Sequence, residues 1–268
     1  MQDIAVVTGG CSGMGLACAR RFAKTHKLVL VDINEVRLEE VTAELEGFGG
    51  SVVPFTLDVT DQSTILQLVN LVASLGRFGL LAHCAGLSPT MADGHRIMEV
   101  NLIGTALIER AFLPLVTPGA TAILIASSAA HMGGFETRND PLLSNPLVPE
   151  FWKKIAPDLT TPEDAYSVAK RGVILYTRAV SADWGARGGR IVSLSPGLIN
   201  TPMGRQEAAG QPVMARLLEV TALGREGQAD EIASVVAFLA STDASFISGT
   251  DVLVDGGMVA GLPKLTTT

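Results

Sequence analysis

The sequence is poor in the aromatic and basic residues that a nucleic-acid-binding surface needs. Aromatic residues make up 5% of its 268 residues, and the formal net charge is -7. Such a chain offers few rings for base stacking, and its average charge repels a phosphate backbone. Charged residues are also few, at 18%, whereas hydrophobic residues reach 47%. This balance is typical of a folded domain with a large buried core, and we expect no nucleic-acid partner.

Cysteines and long hydrophobic runs are equally scarce. The three cysteines, Cys11, Cys18 and Cys84, are an odd number without metal-ligand spacing, and they predict buried thiols in a reducing cytoplasm. The apolar stretch that opens at Ile4 leaves no room for a basic signal segment before it. No run reaches the length of a transmembrane helix, so we expect no membrane partner. The histidines form no spaced ligand set either, and no metal is predicted.

Short apolar runs alternate with longer helical patterns along the chain. We predict strands at residues 4–8, 28–32, 51–57, 80–84, 121–127, 190–195 and 251–254. The intervening segments have the periodicity of helices that cover the faces of a parallel sheet. The sequence therefore predicts a single α/β domain over residues 1–268, with a doubly wound, seven-stranded parallel sheet and helices on both faces.

A glycine-rich turn, Thr-Gly-Gly-Cys-Ser-Gly-Met-Gly at residues 8–15, directly follows the first predicted strand and opens a helix. Glycine permits positive φ and lets the backbone approach a pyrophosphate, whose charge the helix N-terminus stabilises. The turn therefore predicts a dinucleotide phosphate site, formed by Gly9, Cys11, Ser12, Gly13 and Met14.

Two acidic residues end the next two predicted strands. The carboxylate of Asp32 can accept hydrogen bonds from both hydroxyls of an adenosine ribose and repels a 2′-phosphate. Ile33 follows it, and the glycine turn contains no Arg or Lys, so the sequence favours NAD over NADP. The alternative is that Asp32 caps the next helix. Asp58 and Val59 are predicted at the adenine ring, although a loop cap is an equal alternative for Asp58.

Tyr166 and Lys170 stand four residues apart. Residues at this spacing share one face of a helix, so we expect the ammonium of Lys170 beside the Tyr166 hydroxyl, where it lowers the pKa of that hydroxyl. This would create a proton-transfer group usable near neutral pH. Many amphipathic helices contain such a pair, but together with the glycine turn it favours an oxidoreductase.

With these motifs, the chain resembles the short-chain dehydrogenase/reductase family. The resemblance runs from Ile4 to about Gly257 and implies a Rossmann-like domain that oxidises secondary alcohols or reduces ketones. The shared motifs are the Thr-Gly-x-x-x-Gly-x-Gly turn, Asp32, Ala85-Gly86, Asn101, Ser128, Tyr166-x-x-x-Lys170 and Pro196-Gly197.

The resemblance implies a role for each catalytic residue. Tyr166 exchanges the substrate proton while the nicotinamide exchanges hydride with the carbon, and Lys170 favours the tyrosinate and holds the nicotinamide ribose. Ser128 donates a hydrogen bond to the reacting oxygen. Asn101 anchors a water that links Lys170 to solvent. Further contacts with the cofactor are implied for Ala85, Gly86, Pro196, Gly197, Ile199 and Thr201.

Each of these residues also has a structural interpretation. Ser127 and Ser128 can simply end a strand, and Ser127 keeps that interpretation. Asn101 can satisfy backbone groups where its helix bends. Thr201 can cap the helix that follows it.

The chain departs from the family pattern in the segment 129–161, which places Tyr166 38 residues after Ser128. An insertion at this point resembles one in bacterial 3α-hydroxysteroid dehydrogenase/carbonyl reductase. It predicts a hydrophobic wall, closed by a lid at residues 203–218, for a steroid or another bulky small-molecule substrate. The predicted wall and lid residues are Phe135, Phe151, Trp152 and Met203. The alternative is that Phe151 and Trp152 only pack the insertion against the domain.

A second departure is His83-Cys84, where the family usually has two asparagines that brace the sheet. The family also implies a homodimer or homotetramer. Two other functions stay open: a catalytically silent nucleotide-binding protein that kept the fold, and an NADPH-dependent carbonyl reductase with a basic residue near Asp32.

Overall fold

The computed structural model describes residues 2–133, 137–155, 159–210 and 213–263. Its strands are β1 Ile4–Thr8, β2 Lys27–Asp32, β3 Ser51–Thr56, β4 Phe78–His83, β5 Thr121–Ile125, β6 Arg190–Pro196, β7 Ile199–Asn200, β8 Gly227–Gln228 and β9 Asp251–Val254. Seven of them form one parallel sheet in the order β3-β2-β1-β4-β5-β6-β9. The short strands β7 and β8 pair separately, also in parallel. The predicted α/β sheet is confirmed.

The helices cover both faces of the sheet. Their bounds are α1 Gly13–Phe22, α2 Glu35–Gly47, α3 Gln62–Leu75, α4 Gly94–Met98, α5 Thr105–Phe112, α6 Asp140–Leu143, α7 Phe151–Ile155, α8 Pro162–Gly185, α9 Pro202–Gly210, α10 Val213–Val220, α11 Ala229–Ala240 and α12 Met258–Gly261. One hydrophobic core lies under α1, α2 and α11, and the other under α3, α5 and α8. None of the helices in the described part of the chain is long and apolar enough to cross a membrane.

The first strand shows why the predicted strands are continuous apolar runs. Ile4 and Val6 belong to one core, and Ala5 and Val7 belong to the other. Successive side chains of a strand point to opposite faces, so a strand covered by helices on both sides must be apolar at every position.

The strand order of the sheet reverses between the neighbouring strands β1 and β4. The connections that leave these two strands lead to opposite sides of the sheet. In open α/β sheets, ligands bind at the carboxyl ends of the strands at such a point. The two turns that follow these strands approach closely here, since a Cβ atom on Gly9 would lie 2.8 Å from the backbone nitrogen of Ala85. The fold thus brings the glycine turn and the Ala85-Gly86 segment to one crevice.

Gly15 marks the tightest point of the glycine turn, because a Cβ atom there would overlap the carbonyl oxygen of Gly9. We expect Gly15→Ala to lower the free energy of unfolding by about 1–3 kcal/mol, the usual cost of overpacking. Gly47→Ala is the matched control, since a Cβ at Gly47 meets nothing within 4 Å and the residue ends a helix. Denaturant unfolding should show the control unchanged or slightly more stable. An equal loss in both variants would contradict this account of the turn.

Candidate active site

A cleft follows the carboxyl ends of β1, β2 and β4. It contains most of the predicted cofactor residues: Gly9, Ser12, Gly13, Met14, Asp32, Asp58, Val59, Ala85, Gly86, Tyr166, Lys170 and Thr201. Pro196, Gly197 and Ile199 line an adjoining cavity instead, which they share with Tyr166. Cys11 is 2% exposed, and its backbone nitrogen donates a hydrogen bond to Asp32 in the cleft.

The N-terminus of α1 fits a pyrophosphate. Gly9 and Gly13 have φ values of +62° and +50°, which L side chains rarely adopt. The side chain of Ser12, the N-cap residue, makes no capping hydrogen bond, and the first turn of the helix contains no acidic residue. The amide donors and the positive end of the helix dipole are therefore available to an anion in the cleft.

The carboxylate of Asp32 is fixed at the end of β2 by two backbone amides. Its Oδ2 accepts a hydrogen bond from the nitrogen of Cys11 at 3.0 Å, and its Oδ1 accepts one from the nitrogen of Asn34 at 3.0 Å. The N-cap residue of α2 is Asn34, whose side chain accepts a hydrogen bond from Arg37. Asp32 is thus not the helix cap, and its position in the cleft fits a ribose.

Asp58 makes the loop contacts that its alternative interpretation predicted. Its Oδ1 accepts a hydrogen bond from the nitrogen of Thr60 at 2.9 Å, and its Oδ2 pairs with Arg96 at 2.6 Å. It also lines the cleft, so this position allows an adenine contact as well.

Tyr166 and Lys170 lie on α8, which begins after the N-cap residue Thr161. The ammonium of Lys170 donates a hydrogen bond to the carbonyl oxygen of Ile125 at 2.8 Å and lies 5.8 Å from the centre of the Tyr166 ring. Burial raises the pKa of Tyr166 to about 12, although hydrogen bonding with Ser127 opposes the shift. Burial also lowers the pKa of Lys170 to about 8. The expected lowering of the tyrosine pKa by Lys170 is not found in this geometry: burial raises this pKa, and Tyr166 is a protonated donor at neutral pH.

Tyr166 interacts with Ser127, whereas the sequence assigned the catalytic role to Ser128. Strand β5 ends at Ile125, two residues earlier than predicted, and a 3₁₀ turn then begins at Ser128. The Ser127 hydroxyl interacts with Tyr166 and accepts a hydrogen bond from the nitrogen of Ala129 at 3.2 Å. Ser127 and Ser128 both line the cavity with Tyr166. The hydrogen bond with Tyr166 makes Ser127 a second candidate for the role that the sequence assigned to Ser128.

Asn101 lies in a π-helical turn, Glu99–Gly104, between α4 and α5. Its side-chain nitrogen donates to the carbonyl oxygen of Leu87 at 2.9 Å, and its Oδ1 accepts from the nitrogen of Leu87 at 2.7 Å. The amide thus satisfies backbone groups where the helix widens, as its structural interpretation predicted. A Cβ atom on Gly86 would lie 3.1 Å from this Oδ1 and 3.5 Å from the side-chain nitrogen of Lys170, so Asn101 also lies near Lys170.

Beyond Tyr166 lies a cavity of about 340 Å³, within the range of small-molecule sites. The predicted lid residue Met203 lines it. Phe151, however, is 1% exposed in the core, and the ring of Trp152 stacks on His95 at 4.0 Å. Both were predicted in the substrate wall but instead pack the inserted segment against the domain, because α7 docks on α4 away from the cavity. Phe135 falls outside the described residues.

A cleft with a Tyr-Lys pair at its inner end is typical of one large group of oxidoreductases. The sequence comparisons match this chain to the same group. Residues 3–139 match the family described as short chain dehydrogenase, and residues 155–259 match the related description Enoyl-(Acyl carrier protein) reductase. The chain belongs to the short-chain dehydrogenase/reductase family. It is therefore an oxidoreductase of a family that uses nicotinamide cofactors.

Individual short-chain dehydrogenases/reductases match over nearly the whole chain. One from Alternaria brassicicola is 32% identical, covering 99% of each chain. The meso-2,3-butanediol dehydrogenase of Serratia marcescens is 33% identical, covering 98% of each chain. A solved short-chain type dehydrogenase/reductase from Mycobacterium ulcerans has a TM-score of 0.80 at 24% identity, covering 96% of this chain and 90% of its own. That structure shows the same fold.

Two side chains near the site received no role from the sequence, although His83 was recognised as a departure from the family pattern. His83 replaces a family asparagine and bridges two elements, contacting Thr8 Oγ1 at 2.8 Å and Thr105 Oγ1 at 3.1 Å. Burial, helped by Lys170, lowers the pKa of His83 to about 3, so the ring is a neutral brace. Glu207 lines the cavity from α9, at a spacing of four from Met203. That spacing was the signal in the sequence, because residues four apart share a helix face.

Proposed function

We propose that the protein transfers hydride between NAD(H) and a secondary alcohol or its ketone. The observation that carries the proposal is the position of Tyr166, which lines both the dinucleotide cleft and the apolar cavity. A carbon that reacts at this boundary lies between a cofactor and a proton donor, as hydride transfer requires.

The protein's residues would bind and protonate the reacting oxygen. In ketone reduction, a bound nicotinamide would supply the hydride that forms the new C–H bond. The Tyr166 hydroxyl gives its proton to the oxygen, and Ser127 donates a hydrogen bond where negative charge develops. In alcohol oxidation, the same proton returns to the tyrosinate as the hydride leaves carbon. The hydrogen bond to the carbonyl oxygen of Ile125 holds the ammonium of Lys170 at the edge of the cleft.

The choice of NAD is supported by Asp32 and its neighbour. The two backbone amides hold the carboxylate at the end of β2, where a 2′-phosphate would meet a like charge. Ile33 beside it is 63% exposed and provides an apolar surface instead of a counter-charge.

The cavity supports an apolar substrate. Met203, Met214 and Leu217 contribute hydrophobic surface from the lid. A steroid has less support, because Tyr166 is the only aromatic residue among the described residues that line the cavity. A homodimer or homotetramer and a cytoplasmic location stay predictions from the family resemblance and from the cysteines.

Turnover of a panel of hydroxysteroids, secondary alcohols and cyclic diols with NAD tests this proposal, and the two serines provide a matched pair of variants. We expect Ser127→Ala to lower kcat about 100- to 1,000-fold, the usual loss when a donor to the developing oxyanion is removed. Ser128→Ala should stay close to wild type. Because Ser127 lowers the pKa of Tyr166, its removal should also shift the rise of alcohol oxidation to higher pH. Absence of turnover across the panel, despite NADH binding, would contradict the proposed function. If Ser128→Ala lowered kcat more than Ser127→Ala did, the hydrogen-bond donor to the reacting oxygen would be Ser128.

A further inference from the structure

The lid presents one ionisable side chain to the substrate cavity on an otherwise apolar helix face. Met203 and Glu207 lie four residues apart on α9, and both line the cavity together with Gly204 and Ala208. Residues at this spacing lie above one another on a helix. Glu207 therefore faces the same space as Met203 and is part of the cavity wall.

The surroundings of Glu207 do not satisfy its carboxyl group. The other residues that line the cavity include Met132, Met214, Leu218 and Met258. No lysine or arginine lines this cavity within the described ranges, and no hydrogen bond joins the Glu207 carboxyl to another described residue. A purely hydrocarbon substrate that filled the cavity would strip water from this carboxyl without replacing the lost hydrogen bonds, which is costly.

Glu207 and Tyr166 line the same cavity, of about 340 Å³. The charge of Glu207 also acts on both Tyr166 and Lys170, raising the pKa of each. A substrate that fills the cavity and reaches the Tyr166 hydroxyl can therefore present a second polar group to Glu207.

We propose that Glu207 selects substrates with a second hydroxyl group besides the reacting one, by accepting a hydrogen bond from that hydroxyl. This inference rests on the proposed function, since it assigns the substrate class of the same site. The preferred substrates are compact diols and the hydroxy ketones formed from them. Substrates with a carboxylate at this position are rejected, because Glu207 and Glu226 line the cavity without a cation among its described lining residues.

A neutral donor suits this carboxyl better than a cation does. Burial raises the pKa of Glu207 to about 7, although the ammonium of Lys170 opposes the shift. Near neutral pH the group therefore carries only part of a negative charge. A hydroxyl can bond to it in either protonation state, whereas an ammonium group needs the ionised form.

The experiment compares cyclohexane-1,2-diol, cyclohexanol and 2-hydroxycyclohexanecarboxylate. Their dissociation constants are measured by calorimetric titration of the protein with saturating NADH, which requires no turnover, and their oxidation by NAD is measured separately. The variants are Glu207→Leu and Glu207→Gln. Glu219→Leu is the matched control, because Glu219 is exposed on the neighbouring lid helix α10 and lies outside the cavity lining.

We expect the wild type to bind the diol about 10- to 100-fold more tightly than cyclohexanol, the range for a hydrogen bond to a charged group. Glu207→Leu should abolish this ratio, Glu207→Gln should keep part of it, and Glu219→Leu should keep all of it. The carboxylate ligand should gain affinity in both Glu207 variants. A wild type without diol preference, or a preference that survives Glu207→Leu, would overturn the inference. Diol binding that depends on Glu207, without oxidation of any ligand, would support the inference and reject the proposed dehydrogenase function.

Discussion

Tyr166→Phe is expected to lower kcat for alcohol oxidation and ketone reduction by about 100- to 10,000-fold, the usual contribution of a positioned proton-transfer group. The ring of Tyr166 stays in place while its hydroxyl, which lies where the cleft meets the cavity, is lost. NADH binding, followed by the fluorescence of the reduced nicotinamide, should change little. Steady-state kinetics with the best substrate of the panel gives the measurement.

The only other tyrosine of the chain provides the control. Tyr176 lies on the same helix, but its hydroxyl donates a hydrogen bond to the buried carboxylate of Glu109, which also accepts one from Trp184 at 2.6 Å. Tyr176→Phe should leave kcat unchanged and lower the free energy of unfolding by about 1–3 kcal/mol, because a buried acceptor loses a partner. If both variants lost stability but neither lost turnover, Tyr166 would have no catalytic role.

Asp32→Asn is expected to raise the ratio of kcat/KM for NADPH to that for NADH by about 100- to 1,000-fold. A unit charge 4 Å from another at the protein surface contributes about 4 kcal/mol, and about 1.4 kcal/mol corresponds to a tenfold change. The amide removes the charge but keeps an oxygen that can accept from the nitrogen of Cys11, as the carboxylate does at 3.0 Å. The turn should therefore stay in place, and initial rates with each cofactor give the ratio.

Glu35→Gln is the matched control. It removes one negative charge from the first turn of α2, next to Asp32, and Glu35 does not line the cleft. Its cofactor ratio should stay at the wild-type value. A wild type that prefers NADPH would refute the assignment of NAD. In that case Arg37 would be the next residue to replace. Its guanidinium is the nearby positive charge that opposes the rise, caused by burial, in the pKa of the Cys11 thiol beside Asp32.

Periodicity and turn chemistry were enough to predict the sheet and the cofactor cleft. The predicted strands agree with the observed ones within two residues at each end, because buried parallel strands need apolar side chains on both faces. The glycine turn and Asp32 could also be recognised from the sequence. Each takes its role from its place at the end of a strand, and the order of the strands then brings both to one edge of the sheet.

Side-chain partners across the fold were harder to predict. The choice between Ser127 and Ser128 depends on where β5 ends, and strand ends are set by tertiary packing rather than by local pattern. Phe151 and Trp152 are hydrophobic in any location, so the sequence could not distinguish a cavity wall from the packing of an insertion. The pKa of Tyr166 depends on burial, which spacing along a helix does not reveal.

The stacking of Trp152 on His95 gives the inserted segment an optical signal of its own. The chain has two tryptophans, and the other, Trp184, is fully buried and bound to Glu109. Undocking α7 would expose the indole of Trp152 to water and shift its emission to the red, while Trp184 would keep the emission of a buried indole. In a Trp184→Phe background, fluorescence would therefore follow the docking of the insertion separately from the unfolding of the domain.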